Sequence, residues 1–472
     1  MPVSIRADSC PSLGDLYRVS LEGERVSVDS QVYRALDRAR EAYLGEASKR
    51  RIYGFCTGLG EVYDASVECG EGLEEEVLRE HAAGVGPRAP EPVVRAFMFA
   101  RLSQLARGRA PVRGSVARRL EEALNAGIHP VIPLHGSLGA SGDLAPSSHA
   151  FLCIHLGLGN ALYGGREVRC SRALEREGLE PIRLEPGESL ALINNTAWTT
   201  GIAGLALLAA VMVVEESIEA SIESMEVTGC SAEHFDREPA EAKRLAHVSV
   251  VAEKVGRAGC DNRRLQDPYS IRCIPVIYGS SLAFLEFSSA VVEQELCAST
   301  ENPIVGRDGV YHACNFHSAA VGLACDTASI ALAHVANSIE RRVAHLLNGK
   351  TTGLRDYLRW EGSPSGAMLM QYTAAYLAAS LRHVAQPATI HSMPTSGLQE
   401  DVVPNSPASA LKLLRAVSDL VYLVSIERAL ARMAKTISKG GRPVFPHLSL
   451  LIEEEASRVK RRLRLDGLLK EA

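Results

Sequence analysis

The chain has 472 residues, of which 46% are hydrophobic and 23% are charged, and its formal net charge at pH 7 is −5. These values are typical of a soluble globular protein with a large core built from two or more segments. They give no reason to expect a nucleic-acid-binding protein, because the net charge is negative and no basic stripe stands out.

Three further features bear on where the protein works. The N-terminal residues lack an apolar stretch, so no secretory signal is predicted. The longest apolar run, residues 201–214, is too short to span a bilayer comfortably, which favours a helix buried in a bundle and no membrane association. The 11 cysteines contain no CxxC pair, which favours reduced thiols in a cytoplasmic protein.

The first part of the chain alternates helical patterns with glycine-rich loops. Apolar residues recur at helical spacing over 30–49, and a helical pattern also covers 91–126. Between them, residues 51–60 (RIYGFCTGLG) form a loop around Tyr53. Taken alone, Tyr53 is typical of a half-buried aromatic residue whose hydroxyl is paired.

A glutamate-rich helical segment follows and carries the pair Glu80-His81. A lone histidine at a helix end is usually a solvated or capping group. Residues 136–149 (GSLGASGDLAPSSH) hold three glycines at a spacing of three and too few large side chains to form a core. Such backbone bends tightly or is closely approached, and one plain interpretation is a turn before a helix capped by Asp143.

The second part of the chain is dominated by long helices. A polar excursion at 160–187 precedes an apolar segment that ends at Asn194. Periodicity then predicts helices over 197–226, 280–300, 317–346, 366–386 and 407–436. The charged, amphipathic residues 440–472 are expected to form a surface helix after Gly440-Gly441.

Six separated motifs, in order, resemble the signatures of the aromatic amino acid ammonia-lyase family, and most closely its histidine-specific members. The run GSLGASGDLAPSSH is the most specific, and QDPYSIRC matches the family's QDxYSxRC almost residue for residue. The other four are YGFCTGLG for YGINTGFG, ESLALINNT for EGLALxNGT, NFH, and PTSGLQED for PTSxNQED. The resemblance runs from about residue 10 to residue 440.

The resemblance implies a mainly α fold: a long-helix bundle (197–472) with a smaller mixed N-terminal domain (1–196). In this family the active site is built from several subunits. We therefore expect a homotetramer in which Tyr53 serves the site of another chain.

The resemblance also implies the cofactor. In the family an Ala-Ser-Gly triplet cyclises by itself to 4-methylideneimidazole-5-one (MIO), and here Ala140, Ser141 and Gly142 stand at those positions. No metal and no external cofactor are expected. The substrate amine adds to the MIO methylene, and Tyr53 removes a β-proton as phenolate, so its pKa must be lowered by nearby positive charge or dipoles.

The other site residues carry over by motif. Arg272 would clamp the substrate carboxylate through its planar fork. Asn194 and Tyr269 would hold the amine side and MIO. Phe316 would shape the pocket beside MIO. Gln266 would lie behind the residues that contact the substrate.

The substrate expected from the resemblance is L-histidine, converted to trans-urocanate as in histidine degradation. His81 and Glu400 can partner both nitrogens of a buried imidazole ring. Departures from the family pattern at Glu80, Val276 and Val402 leave open a tyrosine or phenylalanine lyase, or a lyase for a charged or modified histidine-like substrate such as a betaine.

Two other classes of protein also stay open. A helical elimination enzyme of the fumarase type would lack MIO, but its GSSxMPxKxNP loop is missing and residues 299–303 are its nearest counterpart. An inactive interaction protein would tolerate the loss of Ser141 or Tyr53, and both are present.

Overall fold

A computed structural model describes residues 2–262 and 264–469. It is mainly helical, with 58% helix and 7% strand, which confirms the predicted fold class. The strands are short and lie mostly in the first part of the chain, while the longest helices follow residue 196.

Up to residue 196, short strands alternate with helices of moderate length. In chain order the elements are β1 (Val3–Ile5), α1 (Leu13–Ser20), β2 (Val26–Val28), α2 (Ser30–Ala47), α3 (Leu73–His81), β3 (Val85–Arg88), α4 (Glu91–Leu105), α5 (Gly114–Asn125), β4 (His129–Pro130), β5 (Pro133–His135), α6 (Leu144–Leu156), β6 (Asn160–Tyr163), β7 (Arg166–Arg169), α7 (Cys170–Arg176) and α8 (Glu188–Ile193). β1 pairs with β2 in parallel, and β3 pairs antiparallel with β5. β4, β6 and β7 form an antiparallel sheet, so the polar excursion contains a hairpin.

The rest of the chain is a bundle of long helices with two short strands. Its elements are α9 (Ala197–Thr228), α10 (Arg237–Ala242), α11 (Ala246–Val255), α12 (Tyr269–Arg272), α13 (Ile274–Leu296), β8 (Ile304–Val305), β9 (Val310–Tyr311), α14 (Ala319–Leu346), α15 (Gly349–Thr352), α16 (Met368–Val384), α17 (Ser406–Ser438) and α18 (Leu448–Arg462). The five predicted long helices correspond to α9, α13, α14, α16 and α17. α13 begins earlier than predicted because Pro275 lies in its first turn, where proline is tolerated.

α9 lies at the centre of the bundle and packs against α4, α13, α14 and α17. Its apolar residues face neighbours on all sides, and Gly201 allows α4 to come close. A Cβ at Gly201 would lie 2.8 Å from the backbone nitrogen of Phe97. One hydrophobic core runs from Val3 to Leu469 and crosses the junction between α8 and α9. The proposed division at residue 196 falls at that junction and stays a prediction.

By length and composition alone, three helical stretches in the described part of the chain could cross a membrane: Glu188–Thr228, α13 and α14. The apolar run 201–214 lies within the 32-residue α9. The shortness of the run therefore does not argue against a membrane span, contrary to the expectation. In the most apolar window of Glu188–Thr228, 83% of residues are buried inside the protein, whereas the α13 window is only 39% buried. α9 is therefore a core helix, and α13 presents an apolar surface.

The expectation of reduced cysteines is wrong. The described residues contain four disulfides: Cys10–Cys297, Cys56–Cys69, Cys153–Cys170 and Cys230–Cys260. Their sequence separations run from 13 to 287 residues, so the fold and not local spacing brings the partners together. Disulfides are typical of oxidising compartments and of the intracellular proteins of hyperthermophiles.

Candidate active site

The Ala140-Ser141-Gly142 triplet lies in the turn between β5 and α6, at the N-terminal ends of α6 and α9. Ala140 and Gly142 are buried, and Ser141 is half-buried. Gly142 has a φ of 72°, and a Cβ there would lie 2.4 Å from the backbone oxygen of Asn195. Only glycine fits this position, which explains the absence of side-chain bulk.

Asn194 follows α8 and holds the triplet from one side. Its Nδ2 donates to the backbone oxygen of Ser141 at 2.7 Å. The residue is 1% exposed, and its Oδ1 has no hydrogen-bond partner among the described residues. The site therefore contains one buried acceptor that is free to receive a donor.

Asp143 is a buried site residue whose role the sequence did not reveal. It stands at the N-cap of α6, as its position predicts, but its carboxylate makes no capping hydrogen bond there. Instead it accepts from Thr199 N and Thr199 Oγ1, each at 2.8 Å, and from Ser137 Oγ at 2.8 Å. Burial raises the pKa of Asp143 to about 6. This carboxylate ties the triplet to the first turn of α9.

Tyr53 lies in the loop after α2, as predicted. Its hydroxyl accepts a hydrogen bond of 2.9 Å from the backbone N–H of Gly60, and its own backbone N–H donates to His312 Nε2 at 3.1 Å. Burial raises the pKa of the Tyr53 phenol, the charge of Glu400 raises it further, and the Gly60 N–H opposes them. The expected lowering of this pKa is therefore wrong for the surroundings that a single chain provides.

His312 is a second residue that the motifs did not indicate. It lies on the loop after β9, and burial lowers the pKa of its imidazole, with a smaller contribution from the charge of Arg50. A neutral ring can accept at Nε2, which is the role that it has toward Tyr53. Nothing in the local sequence around His312 signals this contact.

A cavity of about 920 Å3 brings Tyr53, Ser141, Phe316 and Glu400 together. A second cavity of about 650 Å3 shares Tyr53, Ser141 and Glu400 with the first and adds His81. Tyr53 therefore shares both cavities with the triplet of its own chain, and the expectation that it serves the site of another chain stays a prediction.

His81 and Glu400 approach the shared region from different elements. His81 is the last residue of α3, and its Nδ1 lies 2.7 Å from the backbone oxygen of Val77. Glu400 follows a short 3-10 turn, Ser396–Leu398, and its Oε2 accepts from Thr395 Oγ1 at 2.5 Å. Both side chains are half-buried.

In the single chain, the side chains of Tyr269, Arg272 and Gln266 lie away from the triplet. Tyr269 is 70% exposed and Gln266 is also exposed. The Arg272 guanidinium donates to Gln266 Oε1 and lies 5.2 Å from the centroid of the Tyr269 ring. The three form a surface cluster around α12, and none of them lines either cavity.

The structure also locates two of the positions that depart from the family pattern. Val402 lines the larger cavity, and its backbone oxygen lies 3.2 Å from His317 Nε2. Val276 lies in a groove between α13 and α14, away from the triplet.

In the described part of the chain, no cluster of three or more His, Cys, Asp or Glu side chains is placed to hold a metal ion. The residues at the triplet would fit an MIO group formed from the triplet itself. The position of Gly142 admits no side chain, and the Ser141 carbonyl is held by Asn194. Asn194 Oδ1 is the unpartnered acceptor beside it.

Comparison with known proteins agrees with this arrangement. Residues 12–453 match the family model described as aromatic amino acid lyase. A probable histidine ammonia-lyase of Thermoplasma acidophilum is 33% identical over 93% of this chain and 92% of its own length. The histidine ammonia-lyase of Geobacillus thermodenitrificans is 36% identical over 90% of this chain and 86% of its own. The crystal structure of a tyrosine aminomutase from Streptomyces globisporus superposes with a TM-score of 0.90 at 29% identity, covering 100% of this chain and 99% of that one.

The fold, the site and these comparisons thus define a carbon–nitrogen lyase of a family that acts on amino acids. The chain belongs to the aromatic amino acid lyase family.

Proposed function

We propose that this protein eliminates ammonia from L-histidine to give trans-urocanate, with MIO formed from Ala140, Ser141 and Gly142. The observation that carries the proposal is that His81 and Glu400 line the same cavity as Ser141 and Tyr53. Two ionisable groups beside the triplet suit an imidazole ring, since a buried ring needs partners for both of its nitrogens. The histidine ammonia-lyases among the relatives support the same substrate.

Each residue has a distinct task in the proposed elimination. An MIO group formed from Ala140, Ser141 and Gly142 would supply an electrophilic methylene for the substrate amino group, and that would make the amine a better leaving group. Tyr53 removes the β-proton, and Asn194 Oδ1 accepts from the substrate amine. His81 and Glu400 hold the ring, and Phe316 closes the wall beside it.

The substrate carboxylate needs a cation, and in this proposal a second copy of the chain supplies it. Arg272, Tyr269 and Gln266 form a cluster at the surface of their own chain. An arginine fork is suited to a carboxylate, and its charge near Tyr53 would lower the pKa that burial raises. Both needs support assembly of one site from more than one chain.

The exposed apolar faces of three bundle helices also support assembly, and we propose a homotetramer. The exposed large side chains include Phe284 and Phe287 on α13, Leu323 and Ile330 on α14, and Tyr372 and Tyr376 on α16. Apolar patches of this extent are rare on monomers and mark contact surfaces. A symmetric assembly would bury these faces and bring α12 of one copy to the cavities of another.

A cytoplasmic location completes the proposal. Amino acid breakdown is supplied from the cytoplasmic pool, and four disulfides are compatible with that compartment in organisms of the hyperthermophile type.

The test is a substrate panel with the products identified. Purified protein is given L-histidine, L-tyrosine and L-phenylalanine, and urocanate, coumarate and cinnamate are followed by absorbance and chromatography. We expect kcat/KM for histidine to exceed the other two by at least about 100-fold, which corresponds to about 2.7 kcal/mol of transition-state discrimination. A preference for a carbocyclic substrate, or a β-amino acid as the main product, would contradict the histidine assignment.

A further inference from the structure

The 650 Å3 cavity beside His81 has an unusual charge, and its interpretation rests on the proposed function. Its ionisable lining consists of Glu76, Glu80 and His81 from α3, with Tyr53 and Glu400 from two loops. Among the described residues, no lysine or arginine lines it. Such a cavity favours a positively charged ligand.

The hydrogen bond of His81 restricts what its ring can do. Its Nδ1 lies 2.7 Å from the Val77 backbone oxygen, and a carbonyl oxygen only accepts, so Nδ1 is the donor. In the neutral ring Nε2 is then an acceptor. The carboxylates of Glu76, Glu80 and Glu400 also only accept when ionised. This end of the cavity therefore offers acceptors and needs donors.

A neutral imidazole has one donor and one acceptor, whereas an imidazolium has two donors and a positive charge. Only the charged ring satisfies acceptors at both of its nitrogens. We propose that this cavity binds the substrate side chain as an imidazolium and that Glu80 is a specificity-determining residue. Glu80 lies at the exposed rim of the cavity, where its charge adds to that of Glu400.

The charged groups packed around α3 do not neutralise the negative charge of the cavity lining. α3 packs against α6 and α8. Burial lowers the pKa of His149 on α6, whose Nε2 accepts from the Gly84 N–H at 3.2 Å. Glu188 of α8 is paired with Arg113. Other charged groups near α3 also have partners. Glu74 accepts from Gly187 N and Ser189 N, and Arg79 is paired with Glu75 on the same helix. Glu71 is paired with Arg183, and Glu61 lies beside Gly397.

The experiment measures binding and not turnover. Two unreactive ligands that lack the amino group are titrated calorimetrically into the MIO-containing enzyme at about pH 5.5 and about pH 8, on either side of the imidazole pKa of about 6.5. The first is 3-(imidazol-4-yl)propionate, and the second is 3-(thiazol-4-yl)propionate, whose ring stays uncharged. The ratio of their Kd values at each pH removes effects that act equally on the two ligands, such as those on the shared propionate group.

We expect the affinity for the imidazole ligand, relative to that for the thiazole ligand, to rise about tenfold from the higher to the lower pH. A charge-assisted hydrogen bond would give a gain in affinity of this size. Glu80→Gln should reduce that gain at least about threefold. Glu75→Gln is the matched control, because it removes the same charge from the same helix outside the cavity, and the gain should be unchanged.

A ratio that does not change with pH, an unchanged ratio in Glu80→Gln, or no binding of either ligand would overturn this inference. Turnover of the parent separates it from the proposed function. Active elimination from histidine with a pH-independent ratio defeats only the imidazolium inference. A parent that binds the thiazole ligand but neither binds the imidazole ligand nor turns over histidine defeats the proposed function as well.

Discussion

The side-chain amide of Asn194 donates a 2.7 Å hydrogen bond to the backbone oxygen of Ser141, while its own oxygen has no partner among the described residues. Leaving a buried acceptor unpaired costs about 1–3 kcal/mol. Together with the buried carboxylate of Asp143, this unpaired oxygen shows that the region around the triplet is not arranged for stability alone. An unpaired buried acceptor of this kind is typical of a ligand-binding site.

The first prediction concerns the triplet itself. If Ala140, Ser141 and Gly142 cyclise, the purified protein is lighter than its sequence by two waters. Ser141→Ala should abolish this mass deficit and lower kcat by at least about 1000-fold, because the electrophile is lost. Intact-protein mass spectrometry and a urocanate assay measure both.

Ser148→Ala is the control for this experiment. Ser148 lies in the adjoining α6, and its hydroxyl donates to the Leu144 backbone oxygen within the same helix. This variant should keep the mass deficit and the activity. An active parent with an unmodified mass would rule out the MIO mechanism.

The second prediction concerns the base. Tyr53→Phe keeps the ring but removes the hydroxyl that accepts from Gly60. Loss of a general base costs about 10²–10⁴ in rate, so kcat should fall by that factor while the mass deficit remains. Tyr63→Phe is the control, because Tyr63 lines the same cavity, and it should turn over normally.

The pH dependence of Tyr53 has a definite sign. The phenol acts as a base only when deprotonated, and burial in the single chain raises its pKa. The rate should therefore rise with pH up to the pKa that Tyr53 has in the assembled site. A kcat profile of the parent at saturating substrate should show this rising limb, and a kcat profile that is flat or falls above neutral pH would place the base elsewhere.

The third prediction tests whether one site draws on two chains. Ser141→Ala damages the triplet, and Arg272→Ala removes the cation of the surface cluster around α12. Each variant alone should be nearly inactive. When both are co-expressed in equal amounts, random assembly leaves about one quarter of the sites with both intact residues, so activity should return to about that fraction.

Light scattering on the same samples gives the mass of the active species. A fully active monomer would contradict the proposal. Mixed assemblies with no more activity than the parent variants would show that Ser141 and Arg272 must lie on the same chain.

The sequence predicts individual helices better than it predicts contacts between distant segments. The repeat of apolar residues in α9 is visible locally, because a helix that is apolar on all sides needs neighbours on all sides. The pairing of Cys10 with Cys297 joins residues that are 287 positions apart, and no spacing rule connects them. Likewise, the contact between Tyr53 and His312 exists only because two loops meet in space.

The candidate site shows the same division. The motifs indicate Tyr53, His81, Ser141 and Glu400, and in the structure all four line one cavity. The pKa of Tyr53 could not be predicted in the same way. It depends on burial and on the net charge around the phenol, and these follow from the packing of distant segments.

The last prediction concerns the disulfide in the Tyr53 loop. Cys56 lies three residues after Tyr53 and is bonded to Cys69 across a turn that is further held by the pairing of Thr57 with Ser66. Closing a loop of this length removes conformational freedom from the unfolded chain and stabilises the fold by about 3 kcal/mol. In the folded chain it also restrains the segment in which Gly60 donates to the Tyr53 hydroxyl.

Replacing both Cys56 and Cys69 by Ala should therefore lower Tm and also lower kcat, by about threefold to tenfold, because the base spends less time in its active position. The matched control is the double Ala variant of Cys153 and Cys170, a disulfide of similar separation (17 against 13 residues) that lines neither cavity. The control should lose a comparable amount of stability and keep its kcat at temperatures well below its Tm. Equal effects of the two double variants on kcat would show that the Cys56–Cys69 bond contributes to stability alone and does not position Tyr53.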